Sequence, residues 1–519
     1  MIANWVGNYS KHRATLTPNK RAVYDLDNQK HYTYLELDRR ADMLAGFLTN
    51  KLGIKKYDRV AFLARNCIEL IDAYYATGKV GAILVPYNIR LSAAELIQLI
   101  HNEEPKVLFY EDTFKDKVTA LKEQTGIRHY VVLPVSSEKV DDMPYEEIFS
   151  AGEADYEPCL DLTLNDIHML LHTGGTTGLP KAAMLSHQTL LFNSFNEIVT
   201  WNITHTDSAH ILLPLFHTGG WNLLTLPLLH AGGTIIINRQ FDPLLALKTI
   251  EKEKTTFCFG AATIFKTMID LPEFEEADLS SLRWAMAGAA PTPLSVMEKF
   301  WAKGVRFILG YGMTEAGPNN LSVLAEHLTW DEIKEKHGSV GKPMYLTAVK
   351  IVDDEGNKAK DNEIGELIWS GPQIFSGYWR NEEETAKTLR NSWVYTGDMA
   401  KRDEDGFYYI VGRKKNMFVS GGENVFPAEI EKVLYELKQI REACVIGVPD
   451  EKWGEVGKAV ISLNPGQQLA EDEIISYLRS RIAHFKVPKY VQIIDELPKN
   501  SVGKILTAEV AKLYGKPEQ

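Results

Sequence analysis

Between Thr33 and Gly53 the apolar residues Leu37, Ala41, Leu44 and Leu48 recur at helical spacing and fall on one face. Thr33 and Glu36 are spaced as a capping box, and Gly53 is placed to end the helix. Short apolar runs follow at "RVAFLA", "GAILVP", "KVLFY" and "YVVLP", with the helical stretches "CIELIDAYYATGKV" and "SAAELIQLIHN" among them. Strand and helix alternate, which predicts βαβ units and a parallel sheet covered by helices. The rhythm continues from about Asp166 to about Thr329, with glycine-rich junctions. Beyond about His337 it changes. "AVKIVDDEGNKAKDNEIGELIWSG" has short strands punctuated by turn residues, which predicts antiparallel β-structure. The last hundred or so residues predict a small α+β unit. "PAEIEKVLYELK" and "EDEIISYLRSRI" are helical, and "EACVIGV", "GKAVISL" and "YVQIID" are strands. The charged stretch "GRKKNM" between the two parts is the candidate domain junction.

With 519 residues the chain is too long for one hydrophobic core, and three or four core-sized units are expected. Apolar content of 45% and charged content of 24% are ordinary for a globular protein. A net charge of −12 argues against a nucleic-acid binder, whose footprint would be basic. Cys67, Cys159, Cys258 and Cys444 have neither metal-ligand nor redox spacing, so buried free thiols in a reducing, cytoplasmic compartment are expected. The N-terminal stretch lacks a signal peptide's apolar core, and no segment has the length of a transmembrane span.

The most informative stretch is "TGGTTGLPK", Thr173 to Lys181. Glycines let backbone N–H groups curve closely around an anion, threonine hydroxyls add phosphate or metal contacts, and a lysine supplies charge. A Walker loop requires Gly immediately before the lysine, where Pro180 stands. The dinucleotide G-x-G-x-x-G spacing is absent as well. The apolar run "IHMLLH" before the loop and "KAAMLSHQTLLFN" after it predict strand, loop and helix, a phosphate cradle.

This loop resembles the phosphate-binding motif of the adenylate-forming enzymes, [Y/H]-T-S-G-T-T-G-x-P-K-G, with Gly174 in place of the usual Ser and Ala182 in place of the last Gly. Losing the Ser hydroxyl removes one potential phosphate contact, ~1 kcal/mol. Other stretches resemble further motifs of that family, in its order. "GAAP" (Gly288 to Pro291) resembles the adenine-binding loop, and "GYGMTE" (Gly310 to Glu315) the motif after it. "YTGD", ending at Asp398, resembles the ribose motif, and "GRKKN" (Gly412 to Asn416) the hinge. "PKNSVGKIL" resembles the C-terminal motif with its lysine, here Lys504. The family often has Asp where Asn416 stands and a basic residue where Thr507 stands.

The resemblance implies an α/β fold in three parts. Residues 1–412 form a large N-terminal domain, with parallel βαβ subdomains at about 1–165 and 166–336 and a small β-barrel-like subdomain at 337–412. Residues 413–416 form a hinge, and 417–519 a small mobile α+β C-terminal domain. It also implies ATP, Mg²⁺ and CoA as reaction partners. The nucleotide-binding residues would be Thr173, Gly174, Gly175, Thr176, Thr177, Gly178, Lys181, Gly288, Ala289, Ala290, Gly310, Tyr311, Gly312, Met313, Thr314, Asp398, Arg413 and Lys504. Tyr311 would stack on adenine, Asp398 would accept from the ribose hydroxyls, and Thr176 and Glu315 would hold Mg²⁺. Lys504, His217, Thr176 and Glu315 would serve catalysis, Lys415 would be the pivot, and Ser420, Gly421, Gly422 and Glu423 would line the CoA tunnel. Carboxylates are poor acyl donors at neutral pH. Attack of the carboxylate on the ATP α-phosphate gives an acyl-AMP and pyrophosphate, and a thiol then displaces AMP.

The acyl pocket is expected at His217, Thr218, Gly219, Gly220, Trp221, Gly260, Ala261, Gly288, Ala316 and Gly317. Thr218 stands where amino-acid-activating relatives carry an Asp, so a buried substrate ammonium would be unpaired and an amino acid is disfavoured. The small residues predict room for an apolar tail or ring. A medium- or long-chain fatty acid is favoured, with an aryl or succinylbenzoate-type acid as the alternative. CoA is the favoured thiol over a separate carrier protein. A non-catalytic protein that binds nucleotide or acyl-adenylate is the reading from another class. A homodimer is the expectation for its oligomeric state.

Overall fold

The computed structural model describes residues 5–136, 140–151, 156–173, 179–288, 292–499 and 505–516. Among them the strands form four sheets. The first orders Met143–Pro144, His129–Leu133, Val107–Glu111, Arg59–Leu63, Ile83–Pro86, Ile167–Thr173 and Lys181–Ser186. All neighbours are parallel except the last pair. The helices Ile68–Val80 and Ala93–Glu103 connect its strands, as the alternation predicts. The helix Tyr34–Gly46 begins at the Thr33–Glu36 capping box, with both reciprocal hydrogen bonds made.

The second sheet has a parallel centre and antiparallel edges. Phe307–Tyr311, Trp284–Gly288, Phe257–Ala261, Ser208–His210, Thr234–Ile237 and Arg21–Asp25 run parallel. Segments are exchanged across residue 165: the hairpin Arg21–Asp25/Lys30–Thr33 joins the second sheet, and Ile167–Thr173 and Lys181–Ser186 join the first. A division at 165 therefore does not separate the two sheets.

The third sheet is antiparallel and contains Ala348–Val352, Gly365–Ser370, Leu389–Arg390, Trp393–Arg402 and Tyr408–Arg413. The fourth contains Phe418–Ser420, Glu423–Val425, Ile440–Asp450, Gly454–Leu463 and Tyr490–Ile493. With the helices Pro427–Leu434 and Glu471–Arg479 it encloses a core of its own, including Phe418, Ile430, Val445, Ile461 and Leu478. All four cysteines are free thiols, and all but the half-buried Cys159 are buried. No helix among the described residues is long and apolar enough to cross a membrane.

One local expectation is overturned. The loop after Thr173 leads into a strand, Lys181–Ser186, and not into a helix. The helix starts only at His187, capped by Ser186. The strand is paired on both sides, antiparallel to Ile167–Thr173 and to the segment around Tyr378. Residues 174–180 therefore connect the two strands of a hairpin, and the next helix in the described chain begins only after the second strand, at His187.

Candidate active site

Three neighbouring parallel strands end at the same edge of the second sheet, with Ala261, Gly288 and Tyr311 as their last residues. Ligands of open α/β sheets bind at such carboxyl ends. Past Tyr311 the chain passes Gly312 and Met313 into the short turn Thr314–Ala316, which is buried. A Cβ on Gly312 would lie 2.2 Å from the Pro318 carbonyl oxygen, so only glycine lets the returning chain pass this close.

The antiparallel sheet delivers Asp398 and Arg413 to the same edge, as a cross-strand pair. Asp398 is buried; its carboxylate accepts from the Tyr311 hydroxyl and is ion-paired with Arg413 Nε at 2.6 Å. Arg413 also donates to the Thr396 carbonyl at 3.1 Å. Burial and the neighbouring Asp398 charge push the Tyr311 phenol up, so it stays a donor. Three residues expected on one nucleoside, from motifs far apart in the chain, thus form one bonded group.

Glu315 is 6% exposed and accepts from the Tyr378 hydroxyl at 2.6 Å. Burial raises its pKa, while the Tyr378 hydrogen bond favours the anion. The Tyr378 ring in turn lies beneath Lys181, whose Nζ is 5.3 Å from the ring centroid. Lys181 is ion-paired with Glu384. Thr173 and Lys181 face each other across the mouth of the hairpin. Gly174, Gly175, Thr176, Thr177, Gly178, Ala289, Ala290 and Lys504 lie outside the described residues.

The acyl-pocket residues separate into two groups. Thr218 accepts from Asn222 Nδ2 at 3.0 Å, and Asn193 Nδ2 donates to the Asn222 carbonyl at 2.7 Å. A Cβ on Gly317 would meet Asn193 Oδ1 at 2.5 Å. Thr218 and Gly317, about a hundred residues apart in sequence, are thereby joined through Asn193 and Asn222. His217 stands just before them, its Nδ1 accepting from Gly219 N–H at 3.1 Å. Trp221 departs from the expectation: it is fully buried, its ring 5.5 Å from Tyr74, in the main core. The expected room at the glycines is also taken by the protein's own atoms. A Cβ on Gly220 would lie 2.2 Å from the Pro214 carbonyl oxygen, and one on Gly219 or Gly260 would press on Leu213 or Ile264.

Asn193, Glu197, Tyr378 and Glu384 belong to this region, and none was expected from sequence. Glu197 is fully buried, and its one side-chain hydrogen bond among the described residues is accepted from Asn193 Nδ2 at 3.4 Å. Burial holds its carboxyl well above the usual range. The folded pKa is raised, so stability is greatest below the unfolded value and falls as pH rises towards the folded one. Glu197→Gln removes that loss. Its stability advantage over the parent should grow by at most about 1.4 kcal/mol per pH unit between about pH 5 and about pH 8, read by thermal unfolding. A constant difference across that range would show that Glu197 is ionised in the folded protein.

The group Tyr311–Asp398–Arg413, the acidic turn at Glu315 and the lysine hairpin come from three sheets, and their charges and hydroxyl-accepting groups suit a nucleotide. Comparison with known proteins agrees with that class. The family described as "AMP-binding enzyme" matches residues 10–379, and "AMP-binding enzyme C-terminal domain" matches residues 429–504. A feruloyl-CoA synthase of Amycolatopsis sp is 37% identical over 510 residues, covering 98% of this chain and 99% of that protein. A long-chain-fatty-acid–CoA ligase of Bacillus subtilis (strain 168) is 35% identical over 508 residues, covering 92% and 89%. The crystal structure of ATP-bound MatB from Rhodopseudomonas palustris superposes with a TM-score of 0.88 at 28% identity, covering 98% and 99%. The chain belongs to the AMP-binding, adenylate-forming enzyme family, among its AMP-forming acid–CoA ligases.

Proposed function

We propose that the acid is aromatic and carries a hydroxyl group, activated with ATP as the acyl-AMP and then transferred to CoA. The observation behind this choice is a set of buried, unpartnered polar oxygens beside Thr218 and Gly317. Asn193 Oδ1, Glu197 Oε1 and Asn222 Oδ1 have no hydrogen-bond partner among the described residues. An aliphatic tail against them would leave each unpaired, at about 1–3 kcal/mol apiece. A ring hydroxyl both donates and accepts, and satisfies part of the set. The space beside Gly219, Gly220 and Gly260 is held by Leu213, the Pro214 carbonyl and Ile264, which argues against a long tunnel at these positions. The similarity to a feruloyl-CoA synthase supports this reading, while the similarity to long-chain-fatty-acid–CoA ligases makes a fatty acid the competing one.

The steps follow from the charges. Carboxylate and triphosphate are both anions, so the hairpin loop with Lys181, together with Lys504, neutralises and orients them. Asp398 and Arg413 grip the ribose, and the Tyr311 ring packs on the adenine. Glu315 offers one buried carboxylate, the donor that a hard ion arriving with nucleotide phosphates takes, and by the motif Thr176 would be its companion ligand. Mg²⁺ held there would draw charge from the phosphates. The substrate carboxylate passes His217 and attacks the α-phosphorus in line, and the bond to pyrophosphate breaks. The CoA thiol then attacks the acyl carbonyl, and the bond to AMP breaks. Between the steps residues 417–519 turn about Lys415, bringing the two-residue hairpin turn at Gly421 and Gly422, flanked by Ser420 and Glu423, to the thiol's path.

Asn222→Leu tests the choice of acid. It should lower kcat/KM for a hydroxylated aryl acid about tenfold while changing that for the unhydroxylated analogue less than about twofold. Equal losses on both acids would remove Asn222 from substrate recognition.

A further inference from the structure

Lys181 already has an anionic partner within the chain. Its ammonium is ion-paired with Glu384, from the first turn of the helix Glu382–Thr388. That helix is capped by Asn381, whose side chain accepts from Glu384 N–H at 3.1 Å. The segment before it is laced onto the lysine strand by main-chain bonds. Ser376 N–H donates to the Met184 carbonyl, Met184 N–H to the Gly377 carbonyl and Trp379 N–H to the Ala182 carbonyl, at 2.8–2.9 Å. Tyr378 N–H donates to Thr385 Oγ1 at 2.8 Å, tying helix to segment. The backbone therefore fixes Glu384 opposite Lys181. The second oxygen of Glu384 accepts from Lys387 at 3.0 Å, so a cation stays with it if Lys181 leaves. Lys181 and Glu384 side chains are 32% and 30% exposed, within reach of an incoming anion.

We propose that Glu384 competes with the nucleotide's phosphates for Lys181 and so sets the enzyme's affinity for ATP. The proposal rests on the reading of Lys181 as a phosphate ligand. ATP binding must break the Glu384 pair, and part of the Lys181–phosphate attraction offsets that loss. Half-exposed ion pairs are modest, which corresponds to a change of about 1.5- to 5-fold in Kd. Salt should shrink the effect, because both partners are accessible to ions.

The test is equilibrium binding of ATP to the full-length protein without acid substrate, at low and moderate salt. The proteins are the parent, Glu384→Gln, Lys181→Ala and the double variant, with Glu383→Gln as a control that removes a neighbouring charge from the same helix. Matching thermal unfolding checks that each is folded, and Glu384→Ala repeats the measurement with a second side chain. Glu384→Gln should tighten binding about 1.5- to 5-fold, Glu383→Gln should not match it, and the gain should vanish in the Lys181→Ala background. Unchanged or weaker binding by Glu384→Gln, with Lys181→Ala clearly weakened, overturns this proposal alone. A gain that persists without Lys181 overturns it too, because the effect would then be one of general charge. Unchanged binding by Lys181→Ala overturns the phosphate-ligand reading together with the proposal.

Discussion

Lys504→Ala should slow acyl-adenylate formation by about two to three orders of magnitude and leave the thioester step from supplied acyl-AMP within a few-fold of the parent. The first step brings a carboxylate against a triphosphate, and charge develops on the bridging oxygen as pyrophosphate leaves. A lysine ammonium at that point is worth more in the transition state than in the ground state, which is the condition for an effect on kcat. The second step expels AMP from a neutral carbonyl, and in the proposed alternation the C-terminal unit has by then turned Lys504 away. Pyrophosphate release with acid and ATP reads the first step. Synthetic acyl-AMP mixed with CoA reads the second. Equal slowing of both would mean that Lys504 acts on folding or on both conformations, and the alternation about Lys415 would lose its main support.

Asp398→Asn should reduce kcat/KM for ATP by about two orders of magnitude or more, with a much smaller effect on KM for the acid. Asp398 accepts from Tyr311 and pairs with Arg413. An amide of the same shape can keep one of these contacts but loses the charge. The ribose hydroxyls then face a group that is half donor. A charged acceptor is worth roughly twice a neutral one, and each misplaced partner in a partly buried site adds about 1–3 kcal/mol. Arg413 is 40% exposed and can turn to water, so the fold should tolerate the change. ATP binding like that of the parent would remove Asp398 from the nucleotide site.

The order of strands and helices is legible because βαβ units print their alternation on the chain, and a buried parallel strand reads as an unbroken apolar run. The stretch "KAAMLS" misleads because Lys, Ala, Met and Leu are good helix formers. It becomes a strand because partners on both sides, one of them nearly two hundred residues away, offer its backbone ladder bonds. The site follows the same division. Tyr311 ends a parallel strand and Asp398 and Arg413 sit in motifs of their own, so the sequence singles out all three, and the structure bonds them together. Tyr378 and Glu384 come from a distant segment, and nothing near Lys181 in sequence points to them. Asn193 and Glu197 are polar positions on a helix, and nothing near them in sequence points to the distant segments carrying Asn222 and Gly317 that meet Asn193. Trp221 and Gly220 fail in the opposite sense: residues that suggest a roomy pocket are used to close the core and a tight chain crossing.

The most direct test of the account follows pyrophosphate, AMP and acyl-CoA from ATP and Mg²⁺ across a panel of acids. The panel pairs hydroxylated aryl acids with their unhydroxylated analogues and includes fatty acids from short to long chain, each with and without CoA. The account predicts acid-dependent pyrophosphate release, acyl-CoA and AMP only when CoA is present, and the highest kcat/KM with a hydroxylated aryl acid. A fatty acid at the top of the ranking would contradict the substrate reading. Failure of every acid to release pyrophosphate, in protein shown to be folded, would contradict the proposed chemistry and point to Gly174 and Ala182 as the first positions to restore.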